Sequence, residues 1–436
     1  MASVDCPVFI IGAGISGLTL AQVLRKNGIP FRILERKEHA EAGGAGWGFT
    51  INWSLESLME MLPPELAKRF PETFVDQEAV TRGEDATFPF FDLLTGEMKH
   101  EVPRNHKRVR VNRDKLRKLL MTDMNVEWSK GLKDVTMIEG SDIVTVHVED
   151  GTAYTTYLVV GCDGTHSRVR RSLFPSGWTN KPVPANMFGM TIAYPAEQLS
   201  QIRKLDSFFL HGTDRENGVY FWFSLLDVPS NYDKPATNDC NCQILVSWPS
   251  APGFMGQEKP VDPPANNSER HTFLKQLSEK WADPFGPLIR LIPESIEVKT
   301  VTLDDWIPEY YGGAESNKGR GKVILMGDSG HTMTMYRGEG ANHAIMDVYE
   351  FSKAVVPTLR NVLSESVSAD DLIRLAFAAK AYEDAMFKRC WIAVLASRQA
   401  TIDAHQWERI TNHSPLVAKR QKFLHDSFNV DNGILT

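Results

Sequence analysis

The chain has 436 residues, of which 42% are hydrophobic and 24% charged, and a formal net charge of −7. That is the make-up of a soluble globular protein with room for two or three domains. Its acidic balance argues against a nucleic-acid groove or an anionic membrane surface as the main partner, and it contains no apolar run long enough to span a membrane. Five cysteines, an odd number, and an N-terminus that enters a strand almost at once point to reduced thiols and a cytoplasmic location.

Val8-Phe-Ile-Ile11 reads as a buried parallel strand. Gly12, Ala13, Gly14 and Gly17 follow, with the three glycines at G-x-G-x-x-G spacing, and then comes an amphipathic run from Leu18 to Lys26. Ile29 to Leu34 supplies a second apolar strand that ends on Glu35 and Arg36. This is a dinucleotide-binding βαβ unit. Gly12 permits the tight turn. Gly14 lets backbone approach a pyrophosphate, which the free N–H groups and dipole of the helix N-terminus stabilise. Gly17 allows close helix–strand packing. Glu35 can accept hydrogen bonds from a ribose diol, and its charge disfavours a 2′-phosphate. An adenine dinucleotide is therefore the expected ligand.

The glycine-rich stretch from Ala42 through Gly46 to Gly48 is placed to run along a flat ligand, since a strand resumes directly at Phe49. Ser54 to Phe70 reads as one or two helices broken at Pro63-Pro64. Arg108 to Leu120 switches from alternation to helical spacing, with Asn112 as a candidate cap. Arg113 then falls in the first helical turn, where a cation is unfavourable unless it faces an anion such as a pyrophosphate. Short strands follow at Val126–Trp128, Asp134–Ile138 and Ile143–Glu149, with Asp150-Gly151 as a hairpin turn. Thr155 to Val160 runs into Gly161-Cys-Asp163-Gly164, and a basic helix starts near Ser167.

From Pro175 to about Ile296, aromatic and alternating stretches such as Phe208–His211 and Val219–Ser224 read as an antiparallel sheet. Leu274 to Trp281 reads as a short helix. Lys322 to Met326 is a further buried strand leading into a loop, Gly327-Asp328-Ser-Gly-His331. Arg337-Gly-Glu-Gly340-Ala341-Asn342 then precedes a helix running from His343 to about Val356. Ser366 to Asp403 is strongly helical, with Leu372, Leu375, Phe377, Tyr382 and Phe387 as candidate core positions. Cys240-x-Cys242 has no partner at zinc-ligand spacing, so no metal is expected.

The fingerprint at Gly12, Arg113, the Asp163 series and Gly327-Asp328 stand together in an order that resembles the class A flavoprotein monooxygenases of the para-hydroxybenzoate hydroxylase type. Wording around Gly46-Trp-Gly48, Arg337–Asn342 and Ser397-Arg-Gln-Ala is similar to a fungal secondary-metabolite branch of them. The resemblance implies FAD as cofactor and NADPH as a transient co-substrate. It implies that Gly12, Ala13, Gly14 and Gly17 hold the pyrophosphate, with Glu35 and Arg36 at the adenosine ribose. Gly46 or Gly48 and Arg113 would line the middle of the cofactor, Asp163 would lie near FAD and the NADPH path, and Asp328 would bond the ribityl hydroxyls. Gly340, Ala341 and Asn342 would present backbone N–H groups to the flavin N1/C2 edge. A proline usual after Gly-Asp is absent here, with Thr334 or Met335 in its place.

The expected fold is α/β: a discontinuous Rossmann-like FAD-binding domain (1–80, 105–180, 298–360), interleaved with an antiparallel-sheet substrate domain (81–104, 181–297), and a C-terminal helical segment (361–436). His211 and Tyr220, on facing strands, are the candidate catalytic residues for a phenol or enol. Phe209 and Trp222 are candidates to clamp a planar ring, and Asn52 and Trp53 are further candidates near the flavin loop. The expected activity is insertion of one oxygen atom into a hydrophobic small molecule by hydroxylation or epoxidation. A flavin-dependent reductase or dehydrogenase on the same fold and a non-enzymatic flavin-binding sensor are the alternatives. Oligomeric state is left open.

Overall fold

A computed structural model describes residues 4–41, 46–103, 106–137, 140–307, 321–362 and 367–421. At its centre is a five-stranded parallel sheet in the order Val323–Leu325, Leu158–Gly161, Val8–Ile11, Phe31–Leu34, Val126–Glu127. The strands Val8–Ile11, Leu158–Gly161 and Val323–Leu325 are continuous apolar runs because both faces are covered. Their register aligns the carboxyl ends: Ile11 lies opposite both Gly161 and Leu34, and Gly161 opposite Leu325. The loops that leave these ends are therefore neighbours, although those after Ile11, Gly161 and Leu325 lie 150 or more residues apart in the chain. Ligands of open α/β sheets bind at this edge.

The helix Ile15–Lys26 buries Leu18, Leu20, Ala21 and Leu24 beside this sheet. Strands Gly48–Ile51 and Val109–Asn112 form an antiparallel pair, with Thr50 opposite Arg110. Asn112 caps the helix Arg113–Leu120 by accepting from the N–H groups of Asp114 and Lys115, so Arg113 is the first helical residue, as expected. A small three-stranded antiparallel sheet (Leu132–Met137, Val144–Val148, Ala153–Thr156) turns at Gly151, φ +89°.

A second core lies on a seven-stranded sheet in the order Lys299–Val301, Ala185–Pro195, Asp239–Pro249, Val219–Asp227, Phe209–Asp214, Pro89–Asp92, Met98–Glu101. All of its pairings are antiparallel except that of Phe209–Asp214 with Pro89–Asp92. The strand Lys299–Val301 carries this sheet past residue 297, the expected edge of the sheet segment, because Met187, Phe188 and Gly189 pair with it. The helix Ala369–Ala404 reaches both cores, with Leu375, Met386 and Cys390 in the first and Ala400 and Ala404 in the second.

Several expectations need correction. Phe377 is exposed, because it lies off the stripe formed by Leu372, Leu375, Ala379, Tyr382 and Met386. Asp328–His331 forms one helical turn where a loop was expected. The helix expected at Leu274–Trp281 spans Asn267–Leu277, since the Asn266 side chain caps it at Glu269. The helix expected from His343 begins at Gly340. Residues 42–45 of the glycine-rich stretch lie outside the described residues.

Candidate functional site

The aligned loops enclose two cavities that share Arg113. One, of about 420 Å³, is lined by Gly12, Ala13, Gly14, Glu35, Arg36 and Asp163, among others. The second, of about 300 Å³, opens between Gly48, Asp328, Gly340 and Ala341 on one side and Tyr220 and Trp222 of the seven-stranded sheet on the other. Of the sequence-predicted residues, Gly12, Ala13, Gly14, Glu35, Arg36 and Asp163 line the first cavity, Gly48, Tyr220, Asp328, Gly340 and Ala341 the second, and Arg113 both.

The three fingerprint glycines differ in what surrounds them. Gly12 has φ +106°, and a Cβ there would sit 2.5 Å from the Cys162 carbonyl oxygen. A Cβ on Gly17 would sit 2.1 Å from the Gly12 oxygen. Both are required by the fold. A Cβ on Gly14 would meet only the Cys162 oxygen, at 4.0 Å. Gly14 thus leaves space on the cavity wall at the start of a helix, as a pyrophosphate requires. Glu35 is 8% exposed; its carboxylate accepts from Ala13 N–H at 2.8 Å and Lys37 N–H at 3.0 Å. It therefore braces the glycine turn while facing the cavity.

The second and third loops are bonded to each other. Ser329 Oγ donates to the Gly161 carbonyl at 2.5 Å. Buried Arg170 donates to the carbonyls of Ser329 and Thr165. Asp163 lines the first cavity, but its carboxylate accepts from Ser167 Oγ at 2.5 Å and Arg168 N–H at 2.6 Å at the start of the helix Arg168–Leu173, which Ser167 caps. Burial raises its pKa, and these bonds oppose the rise. Asp328 differs. Its side chain is open to the second cavity and makes no hydrogen bond or ion pair among the described residues. The protein mass around it raises its pKa, against the pull of His331 and Arg113.

Gly340 and Ala341 form the first turn of the helix Gly340–Ala354, whose leading N–H groups have no intrahelical acceptor. Asn342 does not line the cavity. Its Oδ1 accepts from Asn52 N–H and Ser54 Oγ, and its Nδ2 donates to the Thr50 carbonyl. Asn52 and Trp53 serve the same junction, for Trp53 Nε1 donates to Glu339 Oε1 at 3.2 Å. Gly46 packs on Asp114, and Gly48 packs on Arg110.

His211 and Tyr220 do meet, with Nδ1 and Oη 3.1 Å apart. Only Tyr220 lines the cavity; His211 stands fully buried behind it. Burial pushes the His211 pKa down to about 3 and the Tyr220 phenol well above its ordinary value. A neutral imidazole and a protonated phenol result. Phe209 and Trp222 stack on each other, with centroids 4.8 Å apart and planes 17° apart. They do not clamp a ligand between them, and only Trp222 reaches the cavity.

Four features were missed in the sequence. Arg117 donates to the carbonyls of Ala13 and Ala40, holding the first turn from behind. Arg337 and Glu339 form a buried ion pair at 2.6 Å just ahead of the Gly340 helix, and Arg337 also donates to the Pro415 carbonyl. Asp347 accepts from Gly327 N–H and pairs with His331 at 2.7 Å and Arg389 at 2.6 Å. Burial works against a proton on His331, but Cys390 and Asp347 outweigh it and raise the pKa. His331, Asp347 and Cys390 cluster closely enough for a metal, yet the Arg389 guanidinium already supplies Asp347 with a cation. Arg110, treated below, is the fourth.

Comparison with known proteins fits this arrangement. Residues 5–383 match the family model described as "FAD binding domain". The chain is 39% identical to a protein of Arthroderma benhamiae named "Probable FAD-dependent monooxygenase", over 98% of both chains. It is 37% identical to the FAD-dependent monooxygenase dbaB of Emericella nidulans, over 81% of this chain and 88% of that one. Its fold is that of 2,6-dihydroxypyridine-3-hydroxylase from Arthrobacter nicotinovorans, with a TM-score of 0.67 at 17% identity, covering 96% of this chain and 98% of the other.

Proposed function

Because this chain belongs to the FAD-dependent monooxygenase family, we propose that it uses NADPH and O2 to insert one oxygen atom into a planar hydrophobic small molecule, in secondary-metabolite biosynthesis. The observation that carries this reading is the second cavity. It joins the open Asp328 side chain and the first turn of the Gly340 helix to an aromatic wall of Trp222, Tyr220 and Phe88. This arrangement supports a cofactor end and an apolar substrate site sharing one cavity.

In this reading the backbone of Gly12, Ala13 and Gly14 holds the FAD pyrophosphate, with Glu35 and Arg36 at the ribose. Arg113 neutralises charge where the cavities meet, and Asp328 accepts from the ribityl hydroxyls. The leading N–H groups of the Gly340 helix supply the positive end of a dipole to the flavin edge that becomes anionic on reduction. Bound FAD supplies electron transfer from NADPH and activation of oxygen. Met333, Leu245 and Trp222 give the cavity apolar walls, which disfavour water beside the reacting centre. The Tyr220 hydroxyl can donate to neutral His211, which leaves its oxygen free to accept from a substrate hydroxyl.

The test is NADPH oxidation by the FAD-loaded protein across a panel of aromatic and enolic compounds, with 18O2 and mass analysis of products. One labelled oxygen per product supports the reading. Stimulated NADPH oxidation with no label in any product favours a reductase.

A further inference from the structure

Eight arginines are buried among the described residues. Arg337, Arg389 and Arg398 pair with Glu339, Asp347 and Asp305. Arg108, Arg117, Arg170 and Arg420 donate to backbone carbonyls. Arg110 is the exception. It is 4% exposed, and among the described residues its hydrogen bonds go only to two hydroxyls, Thr50 Oγ1 at 3.3 Å and Ser224 Oγ at 2.9 Å, while Asp206 acts on it electrostatically without an ion pair. Its Nε has no partner. A buried cation without an anion or a full set of acceptors is costly. Burial pushes its pKa down to about 9, which leaves it charged at neutral pH.

Three observations show that the surroundings accommodate this cation. Arg110 lines the second cavity with Trp222, Tyr220 and Gln243. Its guanidinium lies 5.3 Å and 5.7 Å from the Phe209 and Trp222 ring centroids, so the stacked pair supports it by cation–π attraction. A Cβ on Gly48 would come within 2.9 Å of its Nη2, so the glycine leaves room for it. Thr50 belongs to the Gly48 strand, whereas Ser224, Phe209 and Trp222 belong to the seven-stranded sheet, so the charge stands where the two meet on the cavity wall.

We propose that Arg110 is the docking point for an anionic oxygen, carboxylate or phenolate, on the planar substrate of this enzyme. The anion would complete the guanidinium's hydrogen bonds while the ring lies along Trp222. The word substrate rests on the monooxygenase reading, but binding can be tested without turnover.

The experiment is calorimetric titration of the FAD-loaded protein at pH 8 with two matched pairs, benzoate against benzamide and 4-nitrophenolate against 4-nitroanisole. In at least one pair the anion should bind about tenfold tighter than its neutral partner, the scale of one charge-assisted hydrogen bond. Arg110→Gln should reduce that ratio below about threefold with FAD content unchanged. Arg110→Lys should keep part of it, because lysine retains the charge without the fork. Should Arg110→Gln fail to fold, an Arg110→Lys ratio equal to the native one overturns the proposal. So do near-equal binding within both native pairs, no binding of either anion, and a ratio that survives in Arg110→Gln. Failure to take up FAD at all would instead strike the monooxygenase reading.

Discussion

Asn342 Oδ1 accepts the backbone N–H of Asn52 at 3.0 Å, joining residues 290 positions apart. With the bonds to Ser54 Oγ and the Thr50 carbonyl, one amide fixes the N-terminus of the Gly340 helix against the strand Gly48–Ile51. The helix end and the Gly48 wall of the second cavity therefore hold their spacing through Asn342. Asn342→Ala strands the Asn52 N–H and the Thr50 carbonyl in a buried place. Its expected cost is about 2–4 kcal/mol, from one or two unmade buried hydrogen bonds, read by urea unfolding. FAD affinity should fall as well, because the cavity wall loses its fixed position.

The glycine turn gives a prediction in which three similar substitutions diverge. Gly12→Ala and Gly17→Ala drive a Cβ into backbone oxygen at 2.5 Å and 2.1 Å. Both should destabilise the apoprotein, by about 2 kcal/mol or more. Gly14→Ala meets nothing closer than 4.0 Å. It should leave apoprotein unfolding unchanged within about 0.5 kcal/mol while weakening FAD binding. Thermal unfolding of apoprotein beside FAD titration separates the two classes; equal losses of apoprotein stability at all three positions would contradict the assignment of Gly14 to the ligand.

What was legible in the sequence follows from this geometry. The loops after Ile11, Gly161 and Leu325 could be found because each leaves a short, wholly apolar strand, and buried parallel strands must be apolar throughout. The place of Arg113 was legible because the switch to helical spacing after Asn112 puts it in the first turn, where the structure finds it lining both cavities. Arg110 was not, since Arg108-Val-Arg-Val alternates like any half-exposed strand and nothing local says which arginine is buried without a carboxylate. The Asp347–Arg389 and Asp305–Arg398 pairs join residues 42 and 93 positions apart, and such partners leave no mark in a local window. Phe377 was a misuse of a legible signal. Its position five residues after Leu372 puts it well round the helix from the buried stripe.

Asp328 is predicted to matter for the ligand and not for the fold. Its carboxylate faces the cavity and makes no bond within the described chain, so Asp328→Ala should change apoprotein stability by no more than about 0.5 kcal/mol. The same substitution should strip FAD from the protein during gel filtration. Arg113→Ala should act in the same direction, since Arg113 lines both cavities. Retention of the full flavin absorbance by Asp328→Ala would remove its ribityl role.

Acid stability should report two buried histidines. Burial pushes His211 down to about 3 and His405 down to about 4. An unfolded histidine titrates near 6.5. Between those values the unfolded state binds more protons than the folded state, so stability rises with pH and is lost as pH falls below about 6.5. From pH 7 to pH 5 each histidine should cost the fold about 2 kcal/mol. His331 acts in the opposite sense, because its raised pKa adds stability that is lost only as pH climbs through the folded value. Urea unfolding of the native chain and of His211→Gln at both pH values checks this. The variant is less stable at pH 7, where Tyr220 loses its partner, but its drop between pH 7 and pH 5 should be about half the native one. A drop equal to the native one would mean that His211 already carries a proton in the folded protein, and the neutral imidazole behind Tyr220 would have to be abandoned.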